Sequence, residues 1–234
     1  LLVLFLACQP GPAAAAVNLF RNPSFEMIPG PAAGQGVLPS EWLQTGDIVP
    51  GADTYSVDGS YGLSPGEFDH WPGQTAQDGI RWVAGGDFSG GNNEAIGQGQ
   101  SLADMLVVGQ LYQLSGYVKN DTRASSGGNA GFRVLLAESP SILAPNVEVG
   151  SLQPATSSTQ WQPRGFSFIA PNEAAAWNTI IFKPFAETPG GFVYPALDSV
   201  SLMLVPEPGA LVTLATCLLP LLLAGRRLRR LSIS

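Results

Sequence analysis

The sequence predicts an all-β body, a single antiparallel β-sandwich, from three observations. The 234 residues include 28 Gly and 20 Pro, which interrupt helices and open turns. Between those breaks the apolar residues alternate or form short runs, with almost no 3.6-residue period. The runs also follow one another at intervals of about ten to twenty residues with no helical stretch between them, which disfavours a parallel sheet with crossover helices.

The strand-like runs are, in order, Gly79 to Val83, Leu111 to Val118, Gly131 to Leu136, Gln162 to Ile169, Thr179 to Phe182 and Leu197 to Leu204. Leu111 to Val118 lacks strict alternation, but its aromatic and β-branched residues suit a pleated surface. Phe166 and Phe168, and Leu197 to Leu202, show apolar residues at every second place, the period of a half-buried strand. Trp42, Trp82 and Trp161 lie in or beside such runs and are expected in the core.

Residues 17–205 carry 17 Asp or Glu against seven Lys or Arg, a formal charge of −10. Such a surface repels phosphate and excludes nucleic acid as a natural partner. Both cysteines, Cys8 and Cys217, lie in terminal apolar segments, so the body has neither an internal disulfide nor thiolate chemistry. About 190 residues suffice for one sizeable core, so a single domain is expected.

The two ends read as export signals. Leu1 to Ala7 is apolar and Ala13 to Ala16 is a small-residue run, the pattern of a signal segment over 1–16 cleaved after Ala16. The missing initiator Met and basic leader place the first residue inside that signal. Phe5-Leu6-Ala7-Cys8 also resembles a lipoprotein box, but Leu6 stands where a small residue belongs, and ordinary cleavage is the preferred reading. At the other end Ala210 to Gly225 holds sixteen uncharged residues, reaching roughly 24 Å as a helix, the short end of a bilayer's hydrocarbon thickness. Pro206 and Pro208 block helix upstream, and Pro220 weakens it within. Arg226, Arg227, Arg229 and Arg230 act as a membrane stop that keeps this flank cytoplasmic and places the body outside.

This order of Val205-Pro206-Glu207-Pro208, one apolar span and an arginine cluster over 205–230 resembles the PEP-CTERM sorting tail of Gram-negative envelope proteins. The resemblance implies processing by a membrane-embedded exosortase. It also implies a chain exported across the inner membrane, anchored by one transmembrane helix, then passed to the cell surface or extracellular matrix.

A second resemblance spans the body, 17–204. Asn18-Leu19-Phe20-Arg21-Asn22-Pro23-Ser24-Phe25-Glu26, then Gly99-Gln100-Ser101-Leu102 with Val108 to Val118, and Ala196-Leu197-Asp198-Ser199-Val200-Ser201-Leu202 occur in order. They are similar to the opening, middle and closing strands of carbohydrate-binding modules with a galactose-binding-like jelly roll. The resemblance implies a structural Ca²⁺ held by Glu26 and Asp198, since paired carboxylates suit a cation that takes six to eight oxygens. Read from the residues alone, these are equally solvated strand-end acids, or Glu26 caps backbone amides.

The long insertion from Tyr55 to Trp71 interleaves aromatics with acids, Tyr61, Glu67, Phe68, Asp69, His70 and Trp71 among them. Flat rings cover sugar C–H faces and carboxylates accept from hydroxyls, so Trp71, Tyr61 and Asp69 are the candidate ligand-binding residues. Trp177, after three alanines, is a candidate further platform. His70 is the only histidine, no Gly-x-Ser-x-Gly turn occurs, and Gly85-Gly86 and Gly90-Gly91 lack the lysine and helix of a phosphate loop. The chain is therefore expected not to be an enzyme. The leading expectation is an exported module that binds a surface or extracellular polysaccharide; a matrix spacer without a ligand is the alternative. A glycoside hydrolase using two loop carboxylates ranks last.

Overall fold

The structure, a computed structural model, describes residues 17–28, 36–47, 52–55, 75–88, 92–99, 106–120, 130–154, 160–177, 179–187 and 193–206. The expected signal segment, Tyr61, Asp69 and Trp71, Glu207 and Pro208, the apolar run and the four terminal arginines lie outside the described residues. Among the described residues no helix is long and apolar enough to cross a membrane.

Twelve strands appear among the described residues: β1 (Leu43–Gln44), β2 (Asp53–Tyr55), β3 (Trp82–Ala84), β4 (Asp87–Phe88), β5 (Asn92–Asn93), β6 (Ile96–Gln98), β7 (Leu111–Asn120), β8 (Ala130–Ala137), β9 (Asn146–Leu152), β10 (Gln162–Ile169), β11 (Thr179–Ala186) and β12 (Pro195–Leu204). A front sheet runs β10-β7-β12-β3-β2 and a back sheet β1-β6-β11-β8-β9, with β4 and β5 forming a separate hairpin. Every pairing is antiparallel. Among the described residues the one regular helical piece is a 3-10 turn, Asn172–Ala175. The architecture is the expected β-sandwich.

The strand period sorts the residues between layers. Along β7, Tyr112, Leu114 and Val118 face the back sheet, where Phe132, Val134, Leu136, Ile180 and Phe182 meet them. The motif at Asn18 to Glu26 closes this core from one side: Leu19 N–H donates to Leu202 O at 2.8 Å, and the Asn18 carboxamide donates to Val200 O at 2.9 Å while accepting from Leu202 N–H at 3.0 Å. Phe20 and Phe25 are thereby laid on Trp42, with ring centroids 5.6 and 4.9 Å away, and Trp42 on Phe182 at 5.9 Å. The opening motif is a core-forming segment, although it contains no strand.

β8 reads as a nearly continuous apolar run because both its faces are covered. Leu135 and Ala137 point away from the main core and pack with Ala95, Ile142 and Ile181. The turn after β8 folds back over them, Ile142 N–H donating to Thr45 O at 2.8 Å.

Three expectations need correction. Gly79 and Ile80 form a turn, and the strand begins only at Trp82. Trp42 is in the main core and Trp82 is fully buried, as expected, though in a second cluster with Ala84, Tyr194 and Ala196 on the outer face of the front sheet; Trp161 is only partly buried and packs against that cluster. Trp177 is not a free platform: it is half-buried and packs against the main core. Phe25→Ala is expected to lower unfolding free energy by about 3–5 kcal/mol through transfer and cavity terms, measured as a shift in denaturant midpoint with unchanged slope.

Candidate functional site

The outer face of the front sheet collects chemistry that the core excludes. In register, Ala84 lies opposite both Asp53 and Ala196, Ala196 opposite Lys119, and Asp198 opposite Tyr117. Their neighbours Val83, Leu197 and Val118 face inward. Period-2 alternation therefore places Asp53, Trp82, Ala84, Tyr117, Lys119, Ala196 and Asp198 on one outward surface.

Lys119 is fully buried there. Its Nζ sits 4.4 Å from the ring centroid of Trp82 and 4.1 Å from that of Trp161, between two aromatic faces whose quadrupoles attract a cation. Nζ also donates to Thr75 O at 3.2 Å, and the Trp161 indole N–H donates to the same oxygen at 2.8 Å. Burial pushes the Lys119 ammonium down to about 7, with the charge of Asp198 opposing.

Beside this aromatic group lies an acidic one. The Tyr194 hydroxyl donates to Asp53 Oδ2, and Gly36 N–H donates to Asp53 Oδ1 at 2.8 Å. Gly86 N–H donates to Glu94 Oε2 at 2.8 Å. Burial first, and then the charge of Asp53, push Glu94 up to about 8. Gly85-Gly86 thus has a role that phosphate chemistry did not supply. A Cβ on Gly85 would stand 2.1 Å from Glu94 O, so only glycine lets the two chains approach this closely.

The third group contains the two carboxylates expected to hold a metal, and the structure brings both to the same loop. Asp198 Oδ2 accepts from Gln77 and Asp78 N–H at 2.8 and 3.1 Å, and Oδ1 from Ser199 N–H at 2.7 Å. Glu26 Oε1 accepts from Ile80 and Arg81 N–H at 2.9 and 3.0 Å, and the Arg81 guanidinium lies 3.8 Å from Oε2. Gly79 makes this possible: its φ is +66°, and a Cβ would come within 2.2 Å of Glu26 Oε1. Five backbone N–H groups and a guanidinium are a positive donor set that suits the carboxylates themselves and does not fit a hard cation. No group of three or more His, Cys, Asp or Glu able to hold a metal occurs among the described residues. Burial raises Asp198 to about 7 against those hydrogen bonds.

The insertion holding Tyr61, Asp69 and Trp71 joins this face at both ends. Tyr55 in β2 pairs with Trp82, and Thr75 accepts from Lys119 and Trp161. Sequence reasoning noted Asp53 only as one of the acids beside the insertion and missed Lys119, Glu94 and Tyr194. The one available signal was a charge, Lys119, continuing an otherwise uncharged strand.

No protein-family model matches the chain, and no curated protein matches it. Among solved structures, a cyclase from Fischerella sp. TAU is 14% identical with a TM-score of 0.52, covering 82% of this chain and 99% of that one. The N-terminal CBM22-1–CBM22-2 tandem domain of Paenibacillus barcinonensis Xyn10C is 13% identical with a TM-score of 0.46, over 77% of this chain and 46% of that one. TmCBM61 in complex with β-1,4-galactotriose is 12% identical with a TM-score of 0.42, over 81% and 99%. The chain spans about half the length of the tandem-module structure. The cyclase likeness shows a shared fold and nothing about activity. The two module likenesses are too distant to carry an argument.

Two outcomes follow. Folded Glu94 and Asp198 keep their protons to about 8 and 7, whereas their ordinary values are 4.5 and 3.8. Across that range the unfolded chain binds fewer protons, so stability falls as pH rises; Lys119, lowered from 10.5 to about 7, acts oppositely above neutrality. The unfolding midpoint is expected to fall from about pH 5 to about pH 7, to level off between about 7 and 8 where Glu94 and Lys119 oppose each other, and to recover above about 8, and Glu94→Gln should flatten the fall. Because the carboxylates already hold backbone donors, excess Ca²⁺ or chelator should leave the melting temperature unchanged, while Asp198→Ala lowers it; a calcium-dependent rise would restore the metal reading.

Proposed function

We propose that this chain is an exported, non-catalytic envelope or matrix protein whose front-sheet outer face binds a surface or extracellular polysaccharide. The observation that carries this reading is the placement of Trp161 and Tyr117, both only half-buried, on one sheet face where the aromatic-rich insertion leaves and returns. Indole and phenol faces cover sugar C–H surfaces, and the acids of the insertion would accept from hydroxyls. The ligand residues in the insertion are Tyr61, Asp69 and Trp71.

The tail reading is kept on its residues. Val205-Pro206-Glu207-Pro208 is proposed as the sorting motif cut by an exosortase, Ala210 to Gly225 as the transmembrane anchor before cutting, and Arg226, Arg227, Arg229 and Arg230 as the cytoplasmic stop. Val205 is still tied to the sheet, its N–H donating to Leu111 O at 2.9 Å, and Pro206 is exposed.

A spacer with no ligand is the second reading, favoured by Lys119, which already fills the slot between Trp82 and Trp161. Affinity electrophoresis in gels containing acidic and neutral polysaccharides separates the two. The glycan reading expects retardation by at least one polymer, weakened about tenfold or more in Trp161→Ala, as for a central aromatic anchor. Free migration in every gel leaves the spacer.

A further inference from the structure

The structure assigns a membrane-facing end to this sandwich. The relevant end is where β7 begins and β10 and β12 finish. Leu111 pairs with Ile169, and Val205 N–H bonds to Leu111 O, so three strand ends meet there. The turn before β7, closed by Gln110 N–H on Val107 O and by Gly109 N–H on Ala170 O, adds Val107 and Val108. Leu19 pairs with Leu202 and Pro23 with Val200, an antiparallel course that carries Val17 toward Leu204.

These residues are large, apolar and exposed: Val17 at 72%, Val107 at 58%, Ile169 at 65% and Leu204 at 44%, with Val108 and Leu111 close behind. Scattered singly they would need no explanation, but here they gather at one end. The four segments that build this end, residues 17–20, 106–118, 165–172 and 199–206, contain no charged side chain, in a body of charge −10. Within those bounds this end is apolar and uncharged, with Glu173 and Glu207 just beyond them, so an acidic protein meets anionic headgroups there with less repulsion than elsewhere on its body.

The occupant follows from where the chain goes. Four residues lie between Val205 and Ala210, the first of sixteen uncharged residues, which makes five Cα–Cα steps. Fully extended, they reach at most about 18 Å, and Pro206 and Pro208 stiffen them. Once that run is in a bilayer, this end of the body is held within about 18 Å of it. We propose that Val107, Val108, Leu111 and Ile169 rest in the headgroup region of the membrane that holds residues 210–225. This rests on the reading of the tail as an anchor. Apolar contact of this kind adds to a covalent anchor as a second signal and orients the protein. It would hold Lys119, at the far end of β7, and Trp161, just before β10 begins, away from the lipid.

The test uses the full chain reconstituted in phosphatidylethanolamine–phosphatidylglycerol vesicles, with an environment-sensitive fluorophore on one cysteine and bromine-labelled lipid as quencher. Native Cys217, in a Cys8→Ala background, reports insertion of the tail. Val108→Cys and Ile169→Cys, each with Cys8 and Cys217 replaced by alanine, report the proposed contact. Ile80→Cys is the control: its loop is held by Asp198, which lies opposite Tyr117, six positions and about 20 Å along β7 from Leu111.

Loss of fluorescence at 217, 108 and 169 but not at 80 is the expected result. Quenching at 217 alone overturns the membrane-facing end and leaves the anchor standing. Equal quenching at 80 overturns it too, since the body would then lie against lipid without orientation. A blue shift at 108 without lipid quenching means that a second copy covers the patch, which also overturns the proposal. No quenching at 217 rejects the anchor itself, and the proposal with it.

Discussion

The outer half of this molecule depends on one buried carboxylate. Asp198 interrupts β12 just before the irregularity between Asp198 and Ser201, with Ser199 at a φ of +48°. Its oxygens bind Gln77 and Asp78, and Glu26 binds Ile80 and Arg81 from the same loop. That loop leads directly into Trp82 and is preceded by Thr75. Holding it therefore sets where β3 starts and brings the Thr75 carbonyl to Lys119 and Trp161. A buried carboxylate without such donors would cost several kcal/mol or take up a proton. Here three backbone amides offset part of that cost, and the raised pKa shows the part they do not.

The two outer surfaces of the sandwich solve the same problem differently. The back sheet hides its surplus apolar face under the Ile142 turn, a dry contact. The front sheet covers its own with Trp82, Trp161 and a lysine, a polar arrangement that needs matched donors and acceptors. Polar groups held this way make geometry specific, because each has few acceptable positions. Such an arrangement is also what recognition requires, whereas the apolar cover on the back sheet has nothing directional to offer a ligand. The third distinct surface, the end near Val107 and Ile169, turns mainly apolar side chains outward, and suits a partner without fixed geometry.

Much of the fold was legible from period and punctuation. The strands at Leu111, Gly131, Gln162, Thr179 and Leu197 were all readable. β9, Asn146–Leu152, was overlooked although Val147, Glu148 and Val149 alternate, because it is an edge strand with half its residues in water and little apolar content to mark it. Among the short strands, β6 pairs with the long β11, β1 pairs in turn with β6, β2 with the three-residue β3, and β4 and β5 only with each other, so long-range pairing makes them and no local pattern can announce them. At the candidate site, Glu26 and Asp198 were identified as a pair, and they do converge. Their partners were not readable, since both the metal and the amide readings require the same carboxylates and differ only in what the intervening loop turns toward them.

By itself the sequence determined the class of the fold, the acidic and cysteine-free character of the body, and the apolar, arginine-capped tail. These follow from composition and near-neighbour period, which act along the chain. Only the tertiary structure decided which side of a strand each tryptophan takes. A period of two distinguishes two faces without naming the one that meets the other sheet. Packing placed Trp42 inside and Trp82 and Trp161 outside, closed the latter pair around Lys119, and drew apolar residues from four distant segments to one end.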